Sequence, residues 1–455
     1  MLILITVQDM NMKSAIAITL IGVFVGVAVW NVFKSADISA VEEKYWGPGD
    51  PHEDNKAIMP FEINISKQVL NDLKTRLNNR KNLTKSLENS NHHYGLNADL
   101  VDEVMDYWKD DYDWRKREEY LNKFPQFVTE IQGLKIHFIH AKPASYAKKT
   151  IPLLMIHGWP SSVFEFYDII PMLTEVQPGR DFAFEVIVPS IPGTAFSSAA
   201  SKQDFGVVEV SVVLNNLMKK IGFDKYYVQG GDLGGVLVPY LGIMFPDQVL
   251  GIHSNMCYSL KLISKVKLVL GNIFPSLFMT EDEASKSYPI YRFAHKVLLE
   301  TGYIFMHITK PDMMGYALNE SPTGLAVFIL EKFAGMNMED IRDLPDAGLK
   351  SKYTIDKLLD NIMIYWVTNS ITSGMRIYAD SYSIKQRKYG MNSISVKVPS
   401  ACARFENEVF YQSEWLIRDA FENLVHLMDY KSGGHFPALE VPMLLAEDIF
   451  NAIEK

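Results

Sequence analysis

The tightest constraint on the fold is the stretch from Ile151 to Met244, where short apolar strand signals alternate with longer helical ones. Ile151 to Ile156 is an apolar run of strand length, suited to burial on both faces. Strand candidates follow from Phe184 to Val188 and from Lys225 to Val228, with helix candidates from Val207 to Ile221 and from Val236 to Met244. A strand apolar on both faces needs a layer on each side, and this rhythm supplies them as a parallel sheet wound with helices, an α/β fold. Upstream, the region 62–125 reads as amphipathic helices, with Val69, Leu70, Leu73 and Leu77 at near-helical spacing. From Phe127 the period changes to that of a hairpin turning at Gln132-Gly133. From about Leu260 to Tyr389 helical patterning rich in Met, Tyr and Phe takes over, and then a strand candidate from Ile394 to Val398 and a helix from Pro442 to Ile453 resume the α/β pattern. The expectation is one α/β domain interrupted by a helical insertion, which 455 residues accommodate.

Composition narrows the function. With 48% hydrophobic and 22% charged residues the chain is a folded protein, not a disordered one. A formal net charge of −9 opposes a nucleic-acid footprint, so no nucleic-acid partner is expected. The two cysteines, Cys257 and Cys402, lie outside any C-x-x-C spacing and read as buried reduced thiols. The uncharged run from Ser14 to Phe33 is twenty residues long. As a helix it would span about 30 Å, the hydrocarbon thickness of a bilayer, so it reads as a transmembrane anchor that brings membrane lipid in as a partner, with a cleaved signal peptide or a buried helix as the alternatives. Lys13 before the run and Lys34 after it leave the orientation open on charge alone. The strap that follows, Tyr45-Trp-Gly-Pro-Gly49, marks a boundary.

Chemistry concentrates in three places. The strand candidate Lys225 to Val228 runs into Gly-x-Asp-x-Gly at 230–234, with Asp232 at its centre and an apolar helix beyond. This is a nucleophile elbow with aspartate in place of serine, and Gly230 and Gly234 would let strand and helix approach. His157-Gly-Trp-Pro160 follows the buried strand, where the Trp159 N–H and the Leu233 N–H after the nucleophile would form an oxyanion hole. Gly433-Gly434-His435 precedes the terminal helix, and Glu408 follows the last strand candidate, with Glu406 as the alternative acid. The order nucleophile, acid, histidine is that of the α/β-hydrolase fold. Individually, Asp232 reads as well as a helix cap, His435 as a loop histidine and Glu408 as a surface charge; their joint order favours the hydrolase. His137 and His140 lie three apart in a probable strand, on opposite faces, which disfavours a metal site. No phosphate-binding or dinucleotide motif is present, so no cofactor is expected.

These motifs together resemble the microsomal epoxide hydrolases, especially the insect juvenile hormone epoxide hydrolases. The resemblance is carried by HGWP at 157–160, PSIPG at 189–193, YVQGGD at 227–232, GGHFPALE at 433–440 and YWGPG at 45–49. In the helical insertion, Glu300-Thr-Gly-Tyr303 ahead of Thr309-Lys-Pro-Asp312, Glu320-Ser-Pro322, and Ile364-Tyr-Trp366 ahead of Arg376-Ile-Tyr378 match the family's lid. The resemblance implies an anchor at 14–33, a helical extension at 45–126, a hydrolase core at 127–259 and 391–455, and a lid at 260–390. It also implies a single-pass protein of the endoplasmic reticulum membrane with its catalytic domain in the cytosol, where the sequons at Asn64, Asn82 and Asn319 would be inert. Two lid tyrosines serve the family as ring-opening acids, and by position these fall on Tyr303 and Tyr378.

The expected reaction turns a lipophilic epoxide, a juvenile hormone or a xenobiotic such as an aromatic-hydrocarbon epoxide, into a vicinal diol. A saturated epoxide carbon must be displaced by a nucleophile already ionised at neutral pH, and the ester formed by a carboxylate can then be hydrolysed. Asp232 would be that nucleophile, Tyr303 and Tyr378 the proton donors, and His435, oriented by Glu408, the base for water. The chain departs from the usual pattern at Ser161, Thr194, Ala195 and Leu233, where Gly, Tyr, Gly and Trp are common, and at Glu406, where Pro is common. Two other readings use the same elbow. A haloalkane dehalogenase would need an aromatic N–H for halide, which Leu233 does not offer, and a weakly active lipid-epoxide binding protein would keep the pocket without turnover.

Overall fold

The computed structural model describes residues 41–143, 147–336 and 341–455. The anchor expected at 14–33 lies outside them, and among the described residues no helix is long and apolar enough to cross a membrane. Nine strands form one sheet among these residues: β1 (Met59–Phe61), β2 (Gln126–Ile131), β3 (Leu134–Ala141), β4 (Lys149–Ile156), β5 (Phe182–Pro189), β6 (Tyr226–Gly230), β7 (Val249–Ser254), β8 (Ser400–Phe405) and β9 (Leu424–Tyr430). Their order is β1-β2-β3-β5-β4-β6-β7-β8-β9. The hairpin end is antiparallel, and the strands from β5 to β9 run parallel.

The helices, in chain order, are α1 (Lys67–Asn78), α2 (Ala98–Asp110), α3 (Trp114–Leu121), α4 (Ile169–Thr174), α5 (Val207–Ile221), α6 (Asp232–Met244), α7 (Leu262–Ile273), α8 (Glu281–Ser287), α9 (Ile290–Glu300), α10 (Gly302–Thr309), α11 (Pro311–Glu320), α12 (Pro322–Gly335), α13 (Ile355–Thr368), α14 (Ile371–Ser381), α15 (Ile384–Tyr389), α16 (Glu414–Ala420), α17 (Pro437–Glu440) and α18 (Pro442–Ile453). Helices α7 to α15 all fall between β7 and β8, forming a helical insert.

Strand β4 shows why the sheet needs two layers. Leu153 and Met155 enter one buried cluster and Leu154 and Ile156 the other, as the two-residue period of a strand requires. The first cluster also takes residues of α1 to α3, α12, α13 and α18, whereas the second takes those of α5 and α6. The turn between β2 and β3 has Gln132 at φ 52° and Gly133 at φ 78°, the paired positive values of a two-residue hairpin. The strap packs there: the Trp46 N–H donates to Gln132 O at 2.7 Å, and a Cβ on Gly47 would fall 2.4 Å from Gly133 O.

Two expectations are corrected. The strand placed at Ile394 to Val398 lies instead at Ser400–Phe405, and the earlier segment contributes a single bridge, Val396 to Phe421. Its alternating Val396, Lys397 and Val398 have high strand propensity, but the strand forms at Ser400–Phe405, where four small residues, Ser400 to Ala403, fit between β7 and β9 and all six residues are buried. The cysteines are not reduced thiols: Cys257 and Cys402 form a disulfide. Cys402 sits opposite Ser254 on neighbouring parallel strands, and Cys257 lies three residues beyond Ser254. Sequence spacing carries no sign of this, since the pair is 145 residues apart. The bond joins the chain where it leaves the sheet for the helical insert to where it returns.

Candidate active site

In the sheet order, β4 is flanked by β5 and β6, so the chain continues to opposite sides of it and a crevice opens at the carboxyl ends of β4 and β6. Asp232 stands in that crevice at φ 49°, a strained value for a residue with a side chain. The glycines make the close approach possible. A Cβ on Gly234 would lie 2.1 Å from Ile156 O, one on Gly230 2.9 Å from the same atom, and one on Gly158 2.5 Å from the Asp232 Cβ.

The two carboxylate oxygens of Asp232 have different partners. The Trp159 N–H donates to Oδ1 at 2.6 Å, and His435 Nε2 lies 3.0 Å from Oδ2. Leu233 follows in the first turn of α6, where backbone N–H groups have no partner within the helix. On its other side, His435 Nδ1 lies 2.9 and 3.0 Å from the Glu408 oxygens, and Glu408 Oε1 also accepts the Phe410 N–H at 2.9 Å. Burial alone would lower the His435 pKa, but the Glu408 charge and the bonds to Asp232 and Glu408 outweigh it and raise the pKa well above the usual imidazole value. The two carboxylates on either side of the ring thus favour its protonated form. Glu406, the alternative acid, is turned away in ion pairs with Lys286 at 2.9 Å and Lys431 at 3.6 Å.

Tyr303 on α10 and Tyr378 on α14 face this site from the helical insert. Their rings flank Trp159, Tyr303 stacked at 5.6 Å and Tyr378 edge-on at 5.8 Å, with 6.5 Å between the two tyrosines. Burial, and then the nearby Asp232 charge, raise both phenol pKa values well above their usual value, so both are proton donors at neutral pH. All the expected side chains thus converge on one point.

Comparison with known proteins agrees with this arrangement. Residues 58–166 match the family model described as epoxide hydrolase N terminus, and residues 151–324 that of the alpha/beta hydrolase fold. Juvenile hormone epoxide hydrolase 1 of Ctenocephalides felis is 46% identical, over 91% of this chain and 89% of its own. Epoxide hydrolase 1 of Sus scrofa is 39% identical, over 93% of this chain and 95% of its own. The crystal structure of juvenile hormone epoxide hydrolase from Bombyx mori superposes with a TM-score of 0.87 at 38% identity, covering 92% of this chain and 98% of that one. The chain is an epoxide hydrolase.

In this epoxide hydrolase several residues that sequence reasoning missed hold the site in shape. Asn361 on α13 donates to Pro160 O at 2.7 Å, and Tyr365 Oη on the same helix donates to Ser161 O at 2.8 Å. The insert therefore braces the loop after β4 that carries Trp159. Arg117 on α3 forms an ion pair with fully buried Asp360 on α13, which also accepts Tyr112 Oη at 2.8 Å, so the N-terminal helices brace that helix in turn. Glu165 accepts the Gly158 N–H at 3.3 Å, and burial pushes its carboxyl up to about 7. His157 accepts the Ile191 N–H at Nε2, 3.1 Å away, and burial pushes it down to about 4, which makes it a neutral structural histidine.

Three further positions bear on the pocket. Ala195 stands at φ 46°, a left-handed value that would not strain the glycine common there. His307, four residues after Tyr303, packs edge-on to Trp159 at 4.5 Å with both ring nitrogens unpaired, and burial pushes it down to about 3. Only its helical spacing from Tyr303 could have suggested it. His137 bonds Ser190 and Gln126 at 2.8 Å, whereas His140 meets Glu185 at 2.6 Å, so the two are spent on separate partners. Among the described residues no cluster of His, Cys, Asp or Glu is arranged to hold a metal.

Proposed function

We propose that this epoxide hydrolase forms vicinal diols from lipophilic epoxides through a covalent ester on Asp232. The observation that carries the reading is the division of the Asp232 carboxylate, one oxygen held by the Trp159 N–H and the other facing His435, opposite two protonated phenols. In the first step an Asp232 oxygen bonds to an epoxide carbon, the carbon–oxygen bond of the ring breaks, and Tyr303 and Tyr378 protonate and hydrogen-bond the departing alkoxide. Ester formation removes the Asp232 charge, one of the groups that keep His435 protonated. His435 returns a proton to the phenolate left by ring opening, and the neutral imidazole then acts as base, taking a proton from water as it attacks the ester carbonyl, with Glu408 orienting the ring. The Trp159 and Leu233 N–H groups hold the resulting oxyanion; on collapse the ester carbon–oxygen bond breaks, the departing alkoxide takes the proton of the added hydroxyl, and the diol leaves with Asp232 again a carboxylate and His435 again protonated.

The substrate class is a juvenile hormone, a xenobiotic epoxide or both. The names of the flea and silkworm relatives support the first. Residues 14–33 serve as a single-pass anchor in the endoplasmic reticulum membrane, residues 45–126 as a strap and helical extension, and residues 260–390 as a lid, with the catalytic domain on the cytosolic side. The twenty-residue uncharged run supports the anchor. Incubation with a terpenoid epoxide ester and with a styrene-type epoxide, followed by mass analysis of the Asp232 peptide, tests the chemistry. Diol plus an adduct on Asp232 is expected; diol formed without any adduct at short times would overturn the covalent route.

A further inference from the structure

Helix α7 is built inside out. Its inward face carries Ser264, whose hydroxyl donates to Asp419 Oδ2 at 2.8 Å, and Lys267, whose Nζ meets Asp419 Oδ1 at 2.6 Å. Gly271 lies on the same side, so close to Tyr288 that a Cβ would fall 2.2 Å from its hydroxyl. Ile263, Val266, Val269 and Ile273 point outward at helical spacing, with Val269 56% and Ile273 57% exposed. Helix α9 buries none of its residues, and Leu298 and Leu299 at its end are each 66% exposed. A soluble surface scatters such residues singly; here α7 and α9, joined where the Ile290 N–H donates to Asn272 Oδ1 at 3.0 Å, each expose several.

The helix also carries no acidic residue. Residues 260–277 contain Lys261, Lys265 and Lys267 and no Asp or Glu, in a chain whose net charge is −9. Lys267 turns inward to Asp419 and Lys261 bonds Ser395, which leaves Lys265 exposed beside the apolar stripe. A helix with an outward apolar stripe, an exposed lysine and no acid suits a membrane interface, its apolar face among acyl chains and Lys265 near an anionic headgroup. Helix α9 leads directly into α10, which carries Tyr303, so the face adjoins the ring-opening half of the site.

We infer that the outer face of α7 and α9 docks on an anionic lipid bilayer and opens the insert toward the membrane, so that lipid-dissolved epoxides pass to the site without crossing water. This contact is separate from the proposed anchor at 14–33 and deepens the same membrane reading. It also explains why these apolar residues of the insert face outward.

The test uses the full chain on vesicles of phosphatidylcholine and phosphatidylserine, with an environment-sensitive fluorophore on a single added thiol. Both native cysteines are engaged in the disulfide, so the label is selective. Val269→Cys and Leu298→Cys report on the face, and Met443→Cys, 73% exposed on the C-terminal helix, is the control. With quenchers attached to the acyl chains, the labels at 269 and 298 should lose most of their emission while the label at 443 keeps it. Unquenched labels at 269 and 298 on vesicle-bound protein overturn the docking and leave the anchor standing. A blue-shifted but unquenched label overturns it in favour of a second copy or residues 14–33 covering the face. Equal quenching at 443 overturns it as nonspecific immersion, and failure of the chain to bind vesicles overturns both docking and anchor.

Discussion

Asp232, His435 and Glu408 follow the ends of β6, β9 and β8, whereas Tyr303 and Tyr378 come from helices of the insert. The groups at the sheet rim are charged and held by backbone: a positive φ at Asp232, an N–H on each carboxylate, and two carboxylates around one imidazole. Those of the insert are neutral, held mainly by ring packing against Trp159. Charges that change during a reaction need fixed dipoles, because any reorganisation adds to the barrier. A leaving-group donor needs only to stay protonated and close, and it can sit on an element that also admits substrate. On the proposed mechanism, bond making and ester hydrolysis belong to the rim, and ring opening belongs to the insert.

Removing the proposed nucleophile should have the largest effect: Asp232→Ala is expected to lower kcat/KM by at least about 10⁴-fold, read by diol formation. His435→Gln should lower steady turnover by about 10³-fold while leaving ester formation intact, so that Asp232 adduct accumulates in rapid-quench samples. Identical kinetics for these two variants would contradict the two-step division within the rim. On the insert, Tyr303→Phe or Tyr378→Phe should slow ring opening by about 10²-fold each without stopping it, since the other phenol remains. An equal slowing of ester hydrolysis in single-turnover assays would break the assignment of the two halves.

The brace between the halves can be probed through stability. Asn361→Ala leaves the buried Pro160 carbonyl without its donor and is expected to cost about 1–3 kcal/mol in denaturant unfolding. His435, whose folded pKa is raised, contributes stability that is fully present below the unfolded value near 6.5 and is lost as pH rises through the folded pKa. Thermal unfolding should therefore weaken over that window, and His435→Gln should flatten the trend. Glu406→Gln should have the smallest effect, with activity within about 2-fold of the wild type, because the side chain pairs with lysines instead of His435.

The rim was far more legible in the sequence than the insert. Gly-x-Asp-x-Gly after a strand has a steric cause that appears in one short segment, and the distances at Gly230 and Gly234 bear it out. The His157-to-Pro160 loop and the hairpin at Gln132-Gly133 are local in the same way. The β8 strand was misplaced because propensity favours Ile394 to Val398, while pairing with β7 and β9 selects Ser400–Phe405. The disulfide, the Asn361 and Tyr365 braces and the unpaired His307 depend on residues far apart in the chain or on ring packing, which no local pattern records. Helix α7 shows the same limit in reverse. Its apolar spacing was visible, but which face pointed inward was fixed by Asp419 and Tyr288, both distant in sequence.

The covalent role of Asp232 is tested most directly by a single turnover in ¹⁸O-labelled water, with enzyme in excess over epoxide. Water that attacks the ester carbonyl leaves its oxygen on the enzyme, while the diol departs with an oxygen from the carboxylate. The expected result is an unlabelled diol and one ¹⁸O in the peptide containing Asp232. Label in the diol, with none in that peptide, would mean that water attacks the epoxide directly and would contradict the account.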